Sequence, residues 1–282
     1  MTGSTAPAED RPGPRASFPQ RPRTVTERKD VTPRNRQPAM PPKRATVVAQ
    51  RLVKMIREDK LHAGDPLPPE HEMLDMFPVG RNTLREAMRV LELQGVITIR
   101  AGRGGGPVVA SPDSRHLAST LALLLQFAET PFRAVLETRM HIEPIIAELC
   151  ADRSTPELAE QLWSSVRAME DEPDDEQLFL DENQRFHELL AAASGNPLFG
   201  YFLNSLHWII DGVALGVSYP KRARKIVIEA HRRICEAIAR GDAEAAAEAM
   251  RQHMTDTFVY FERKYHAVLD EPLTWEMYGS GM

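Results

Sequence analysis

Three observations predict a mainly α protein, an N-terminal winged helix-turn-helix followed by an all-α antiparallel bundle of about seven helices. From Ala45 to Val109, three short helical periods give way to an alternating strand, a glycine-rich tip and a returning strand. After Pro112 the chain reads as seven helical stretches separated by turn signals, with no internal repeat of solenoid length. Charge divides along the same lines. Residues 1–44 hold ten Lys or Arg against four Asp or Glu, residues 45–110 nine against eight, and the remainder is strongly acidic within a total of −5 over 282 residues. An acidic body would be repelled by a polyanion, so any contact with nucleic acid falls to the first third of the chain.

The elements follow in order. Ala45 to Asp59 places Val47, Val48, Leu52, Met55 and Ile56 on one helical stripe. Lys60 to Pro68 is rich in Gly and Pro and cannot continue that helix. Pro69 to Phe77 supplies a short helix, Pro78-Val79-Gly80 a tight turn, and Arg81 to Gly95 a second helix with Leu84, Ala87, Met88 and Leu91 facing inward. Val96 to Arg100 alternates like a strand, residues 101–107 form the tip, and Val108-Val109 return. The bundle helices are expected near His116–Glu129, Pro131–Arg153, Pro156–Asp171, Asp174–Ser194, Pro197–Gly216, Pro220–Arg240 and Asp242–His266. Proline after Thr155, Asn196 and Tyr219 marks three starts, and Gly241-Asp242 combines a stop with an N-cap. The stretch around Pro144 is apolar on more than one side, as a central helix would be.

The leading end of the second short helix has the chemistry of base and phosphate reading. A helix in the major groove presents its first turn to the duplex, and Arg81, Asn82, Thr83 and Arg85 cluster there. A guanidinium grips guanine bidentately and a hydroxyl bonds a phosphate or base. Arg103, flanked by Gly102 and Gly104, suits a wing tip that reaches the minor groove or the phosphates. Taken singly, each of these residues reads equally well as a solvated surface; the ordered set favours double-stranded DNA. One short helix covers few base pairs, which calls for a homodimer on a pseudo-palindromic operator.

Residues 45–108 resemble the GntR family of bacterial transcription regulators. The resemblance is carried by Pro68-Pro69-Glu70-His71-Glu72, by Val79 to Ala87 (VGRNTLREA) and by Leu91 to Ile97 (LELQGVI). It implies operator contacts by Arg81, Thr83, Arg85 and Gly102. Two positions depart from the family pattern: His71 stands where Arg is usual, and Gly80 where Ser or Thr is common. Both changes remove phosphate contacts, so His71 is carried as a weaker DNA-facing residue.

Length and composition bound the rest. The chain has room for two domains, and 42% apolar residues suffice for real cores. Cys150 and Cys235 are the two cysteines, both in helical patterns, which argues against a disulfide framework. No apolar run approaches the roughly 20 residues that span a bilayer, and no secretory signal is evident, so a cytoplasmic setting away from membranes is expected. Residues 1–42 contain nine prolines and few large apolar groups and are expected to form a disordered basic arm. That arm is either an inert tail or a source of non-specific DNA affinity. The expected division is 1–42 arm, 43–110 DNA-reading domain, 111–268 helical domain and 269–282 tail, the tail with Trp275 and Tyr278 either packed on the bundle or extended.

Within the bundle, Asn183 and His187 share one helix face at i, i+4, and His231 and His253 sit on two further helices among apolar neighbours. Three neutral imidazoles and an amide oxygen converging there would bind a divalent metal, zinc first, with nickel or manganese as alternatives. Satisfied core histidines are the plainer reading of the spacing alone. No HExxH signature is present, and Asp181 and Glu182 fall off the Asn183/His187 face, so a metal-dependent hydrolase is not expected.

Residues 111–266 resemble the FCD ligand-binding domain of the FadR subfamily. The matching runs are Val135 to Arg139 (VLETR) with Glu143-Pro144, Asn183 to His187 (NQRFH), Ser194 to Leu198 (SGNPL), His231 to Ile234 (HRRI) and Ile238 to Asp242 (IARGD). The resemblance implies a metal held by His187, His231 and His253 above a pocket for a carboxylate effector, with Arg139 on the helix that bears the effector-binding arginine. It also implies dimerisation and, as the commoner habit, repression relieved by a metabolite. Asn183 replaces the family's aspartate and brings no charge. Arg139 reads alternatively as a surface ion pair with Glu137 or Glu143. The alternative function is a regulator whose helical domain only dimerises, and the His116–Phe127 stretch is a candidate interface with core packing as its rival.

Overall fold

The structure is a computed structural model that describes residues 43–102, 105–209 and 217–275. The expected arm, Arg103 and Tyr278 lie outside the described residues. The first three helices are α1 (Arg44–Glu58), α2 (Glu70–Met76) and α3 (Arg81–Leu93), followed by β1 (Ile97–Arg100) and β2 (Gly106–Val109). The strands pair antiparallel, with Ile97 opposite Val109 and Arg100 opposite Gly106. Leu52, Met73, Leu84 and Ile97, one from each of α1, α2, α3 and β1, are fully buried in one core. The segment between α1 and α2 is more than a break. The Gly64 N–H donates to the Val109 carbonyl at 2.9 Å, the Val109 N–H to Asp65 at 2.9 Å, and Leu67 to Pro107 at 2.9 Å. Pro66 forms an isolated bridge with Val108, so this segment lies along β2 and stiffens the base of the wing.

The bundle comprises α4 (Ser114–Phe127), α5 (Phe132–Asp152), α6 (Pro156–Asp171), α7 (Glu176–Ala193), α8 (Pro197–Ile209), α9 (Lys221–Ala239), α10 (Ala243–Lys264) and the short α11 (His266–Asp270). The seven expected helices are α4 to α10; α11 is one more, set off from α10 at Tyr265. The caps are those the sequence announces. Thr155 Oγ1 accepts from the Leu158 N–H at 3.2 Å and an Asp242 carboxylate oxygen from the Ala245 N–H at 3.1 Å. Gly241 takes φ +66°, the left-handed turn that stops α9.

Helix α5 is central, packing against α7, α8, α9, α10 and α11. It buries Val135, Leu136, Ile146, Ala147 and Cys150, and Pro144 sits inside it. Packing also continues past residue 268. Leu269 and Leu273 are buried, the Phe132 N–H donates to Glu271, and Trp275 Nε1 donates to Ser119 Oγ at 3.3 Å. The first part of the expected tail is therefore held on the bundle. Among the described residues, no helix is long and apolar enough to cross a membrane.

Candidate functional site

Two groups of residues carry chemistry. On the first domain, α3 buries Leu84, Ala87, Met88 and Leu91 and leaves Arg81, Asn82 and Arg85 exposed, with Thr83 half-buried. Gly80 precedes the helix without a side chain to cap it; its carbonyl accepts from the Thr83 N–H at 3.0 Å, which leaves the Arg81 and Asn82 amides for an anion. Arg85 is not idle, for its Nε donates to Glu70 Oε2 of α2 at 3.1 Å. His71 is exposed on α2, its Nε2 3.9 Å from a Glu72 carboxylate oxygen. Gly102 is exposed at φ +101° with open space where a Cβ would stand. Four of the residues singled out from the sequence thus share the leading end of one helix, with His71 on α2 and Gly102 at the wing.

The second group is buried in the bundle. One ligand nitrogen from each of His187 on α7, His231 on α9 and His253 on α10 lies within 4.8 Å of the others. His231 and His253 face each other through Nε2 atoms 3.3 Å apart. Phe186 stacks on the His231 ring with centroids 3.9 Å apart and fixes its plane. Burial pushes His231 well below the ordinary histidine range and His253 down to about 3, with neighbouring imidazoles adding to the shift. Both rings are therefore neutral near pH 7, which is the form that coordinates a metal.

Two further residues complete this cluster and were not assigned to it from the sequence. Glu143 of α5 is buried, and its carboxylate touches both Arg139 and His187. Arg139 Nε donates to Glu143 Oε1 at 2.5 Å, while Glu143 Oε2 meets His187 Nδ1. Burial alone would raise the Glu143 carboxyl, but Arg139 and then His187 outweigh it and hold the group well below the usual carboxylate range. His207 of α8 lies with its ring 5.7 Å from that of His187, and its buried Nδ1 has no hydrogen-bond partner. Burial, then Arg139, pushes its imidazole well below the usual range. The ion pair of Arg139 with Glu143 is thus buried, not the surface pair offered as its alternative. Asn183 is half-buried on α7, one turn ahead of His187.

Sequence signals for the two additions were present but weak. His207 stands between Leu206 and Trp208 in a helical stretch, and Glu143 stands at i, i+4 from Arg139. Neither pattern reports burial.

Residues 44–105 match the bacterial regulatory proteins of the gntR family, and residues 134–256 match the FCD domain. The chain belongs to the GntR family. Its pairing of the two domains fits the FadR-like branch. Among curated relatives, the HTH-type transcriptional regulator YcbG of Bacillus subtilis is 29% identical over 210 residues, 74% of this chain and 86% of the relative. The HTH-type transcriptional repressor NanR of Cronobacter sakazakii is 27% identical over 80% of this chain and 88% of its own length. A solved structure of Streptococcus agalactiae GntR aligns with a TM-score of 0.63 at 29% identity, covering 77% of this chain and 99% of that one. The family and these relatives are DNA-binding transcription regulators and not enzymes.

Proposed function

We propose that this GntR-family protein is a ligand-responsive transcription regulator of the cytoplasm, most simply a repressor. It binds a pseudo-palindromic operator in double-stranded DNA as a homodimer. In this reading Arg81, Asn82, Thr83 and Arg85 read bases and phosphates, with Gly102 and Arg103 at the wing and His71 beside them. Residues 43–110 form the reading domain, and residues from 111 onward the sensing and dimerising domain.

The observation that carries the sensing half is the convergence of His187, His231 and His253. The fit to a metal rests on the donor set and its spacing. The 3.3 Å between the two Nε2 atoms equals the edge of a tetrahedron of nitrogens that lie about 2.0–2.1 Å from zinc. Neutral nitrogen donors suit zinc, nickel or manganese in that order. Asn183, one turn from His187 on the same helix, offers an amide oxygen as a fourth ligand. A metal there would supply a Lewis-acidic centre that attracts an anion. Arg139 spends its Nε on Glu143, and no other partner of its guanidinium is found among the described residues. That leaves the paired terminal nitrogens to fork onto the carboxylate of a small acid effector. Binding across α5, α7, α9 and α10 would favour one helix arrangement and so shift the population competent for the operator.

Elemental mass spectrometry tests this on protein purified without chelator or histidine tag. About one divalent metal per chain is expected, absent from a His187→Ala/His231→Ala double variant. Operator affinity, measured on duplexes selected from a random library, should respond to carboxylates only in the metal-containing protein. Metal-free wild type with unchanged DNA binding would leave a regulator whose bundle only dimerises.

A further inference from the structure

Among the described residues, Glu143 is the only acid that is buried. A carboxylate is expensive to remove from water unless its oxygens are engaged, so its placement asks for an account. Arg139 engages one oxygen, Oε1, and offsets part of that cost. The other oxygen is turned to His187 Nδ1. Stability alone would be served as well by an apolar pair, whereas this geometry does something an apolar pair could not.

An ionised carboxylate only accepts hydrogen bonds, so the His187 nitrogen that meets it must carry a proton. With Nδ1 protonated and occupied, Nε2 is the nitrogen left with a lone pair. The ring is therefore oriented and set in one tautomer by its outer partner, as in carboxylate–histidine–metal arrangements elsewhere. The other two histidines present no comparable anchor. Among the described residues no carboxylate lies against His231 or His253, whose Nε2 atoms face each other. His187 Nδ1 and Glu143 Oε2 meet as a close ion-pair approach and not as an aligned hydrogen bond, and His231 Nδ1 is buried without even such a contact. Asn183 brings no charge to the cluster. We propose, building on the metal site above, that Glu143 is the positioning residue of this centre. It fixes His187 with Nε2 toward His231 and His253, and it supplies the negative charge that the site otherwise lacks.

Glu143 stands on α5 with Arg139, four residues and one turn away. The residue that orients the metal-facing histidine is therefore bonded to the residue suited to an effector carboxylate. A ligand drawing on Arg139 perturbs the carboxylate that holds His187, which ties occupancy of the two sites together.

The test is a competition titration of Zn²⁺ against a chromophoric chelator, with Co²⁺ absorption as a report on the ligand set. Wild type, Glu143→Gln and Glu148→Ala are compared at matched pH. Glu143→Gln should lose affinity by on the order of 10–100-fold and alter the Co²⁺ spectrum. Glu148→Ala, which removes an exposed carboxylate of the same helix, should change affinity by less than about threefold, because the contact that orients His187 is untouched. Glu143→Gln leaves Arg139 buried beside a neutral amide and can unfold the bundle. Arg139→Gln/Glu143→Gln removes that charge and should show the same loss. A readout independent of any substitution at Glu143 is the ¹⁵N shift pattern of metal-free wild type at pH 8, assigned with His187→Gln. Protonation of His187 at Nδ1 alone is expected. Wild-type affinity in both Gln variants, or a His187 protonated at Nε2, overturns the proposal while leaving the metal site standing. Failure of wild type to bind either metal removes both.

Discussion

Burial keeps the inner histidines neutral, and that neutrality has a consequence for stability that can be measured. In the unfolded chain each imidazole gains a proton as pH falls below about 6.5. In the folded chain His207 and His231 stay neutral well below that value and His253 down to about 3. The unfolded state therefore binds more protons in this window, so stability is full above about pH 6.5 and is lost as pH falls. The slope is about 1.4 kcal/mol per pH unit for each such histidine. Glu143 has the opposite charge type but adds in the same direction at lower pH. Its folded carboxyl is depressed, so its contribution is present above the unfolded value of 4.5 and lost below it. Urea denaturation of metal-free protein between pH 8 and 5 should show a plateau and then a steep fall. His207→Leu should make that fall shallower by about one histidine's share, and an unchanged slope would show that His207 is not neutral in the fold. The three-histidine cluster was legible in the sequence because each His lies among apolar residues on its own helix. The Glu143 link was not, since i, i+4 spacing to Arg139 describes an exposed pair and a sealed one equally well.

Secondary structure was the most legible level, and its lapses fall where backbone bonds are made between segments distant in sequence. Because both signals are local, helical periods and caps placed the bounds of α1 to α10 within a few residues, save the expected end of α8 at Gly216, which lies outside the described residues. The alignment of residues 64–67 along β2 was hidden, since its bonds join segments some forty residues apart. The joint between the two domains was hidden for the same reason. Gly95, at φ +68° after α3, lies against the His116 ring of α4, and a Cβ there would stand 2.1 Å from His116 Cε1. His116 is itself held near Asp113 at the start of α4, with Nδ1 3.1 Å from Oδ1. This contact links the end of α3 to the first helix of the bundle. Gly95→Ala should destabilise the protein by more than the roughly 1 kcal/mol of a left-handed alanine, because the ring must also move. Adding His116→Ala should recover the steric part and leave the backbone part. A double-mutant cycle from denaturant midpoints checks this, and strict additivity of the two changes would mean that the ring and the glycine do not bear on each other.

At the scale of the whole molecule, the proposed reading of two half-sites requires two copies, and the exposed apolar side chains of α4 offer one surface on which to test their pairing. The His116–Phe127 stretch was read as either interface or core, and α4 buries part of its surface and leaves another part exposed. Ala118 and Ala122 are buried in the bundle, while Leu124 is 63% and Phe127 88% exposed. Leu117 and Leu123 on the same helix, and Leu198 and Tyr201 on the adjoining α8, are exposed as well. Large apolar side chains gathered on neighbouring helices are more than isolated surface residues, and covering them removes apolar area from water. A sequence period cannot separate the two faces, because leucines serve the core and an interface alike. If α4 forms the dimer contact, Leu124→Asp/Phe127→Asp places four carboxylates at the shared face of a symmetric pair and should convert dimer to monomer. Sedimentation equilibrium would then report about 31.7 kDa, the mass of one chain. Affinity for an isolated half-site should stay unchanged, since α3 and the wing are untouched. Affinity for the full palindrome should fall by at least 100-fold, as the second head is no longer delivered by the first. A variant that stays dimeric and keeps full operator affinity would place the contact on another face and leave this one for a different partner.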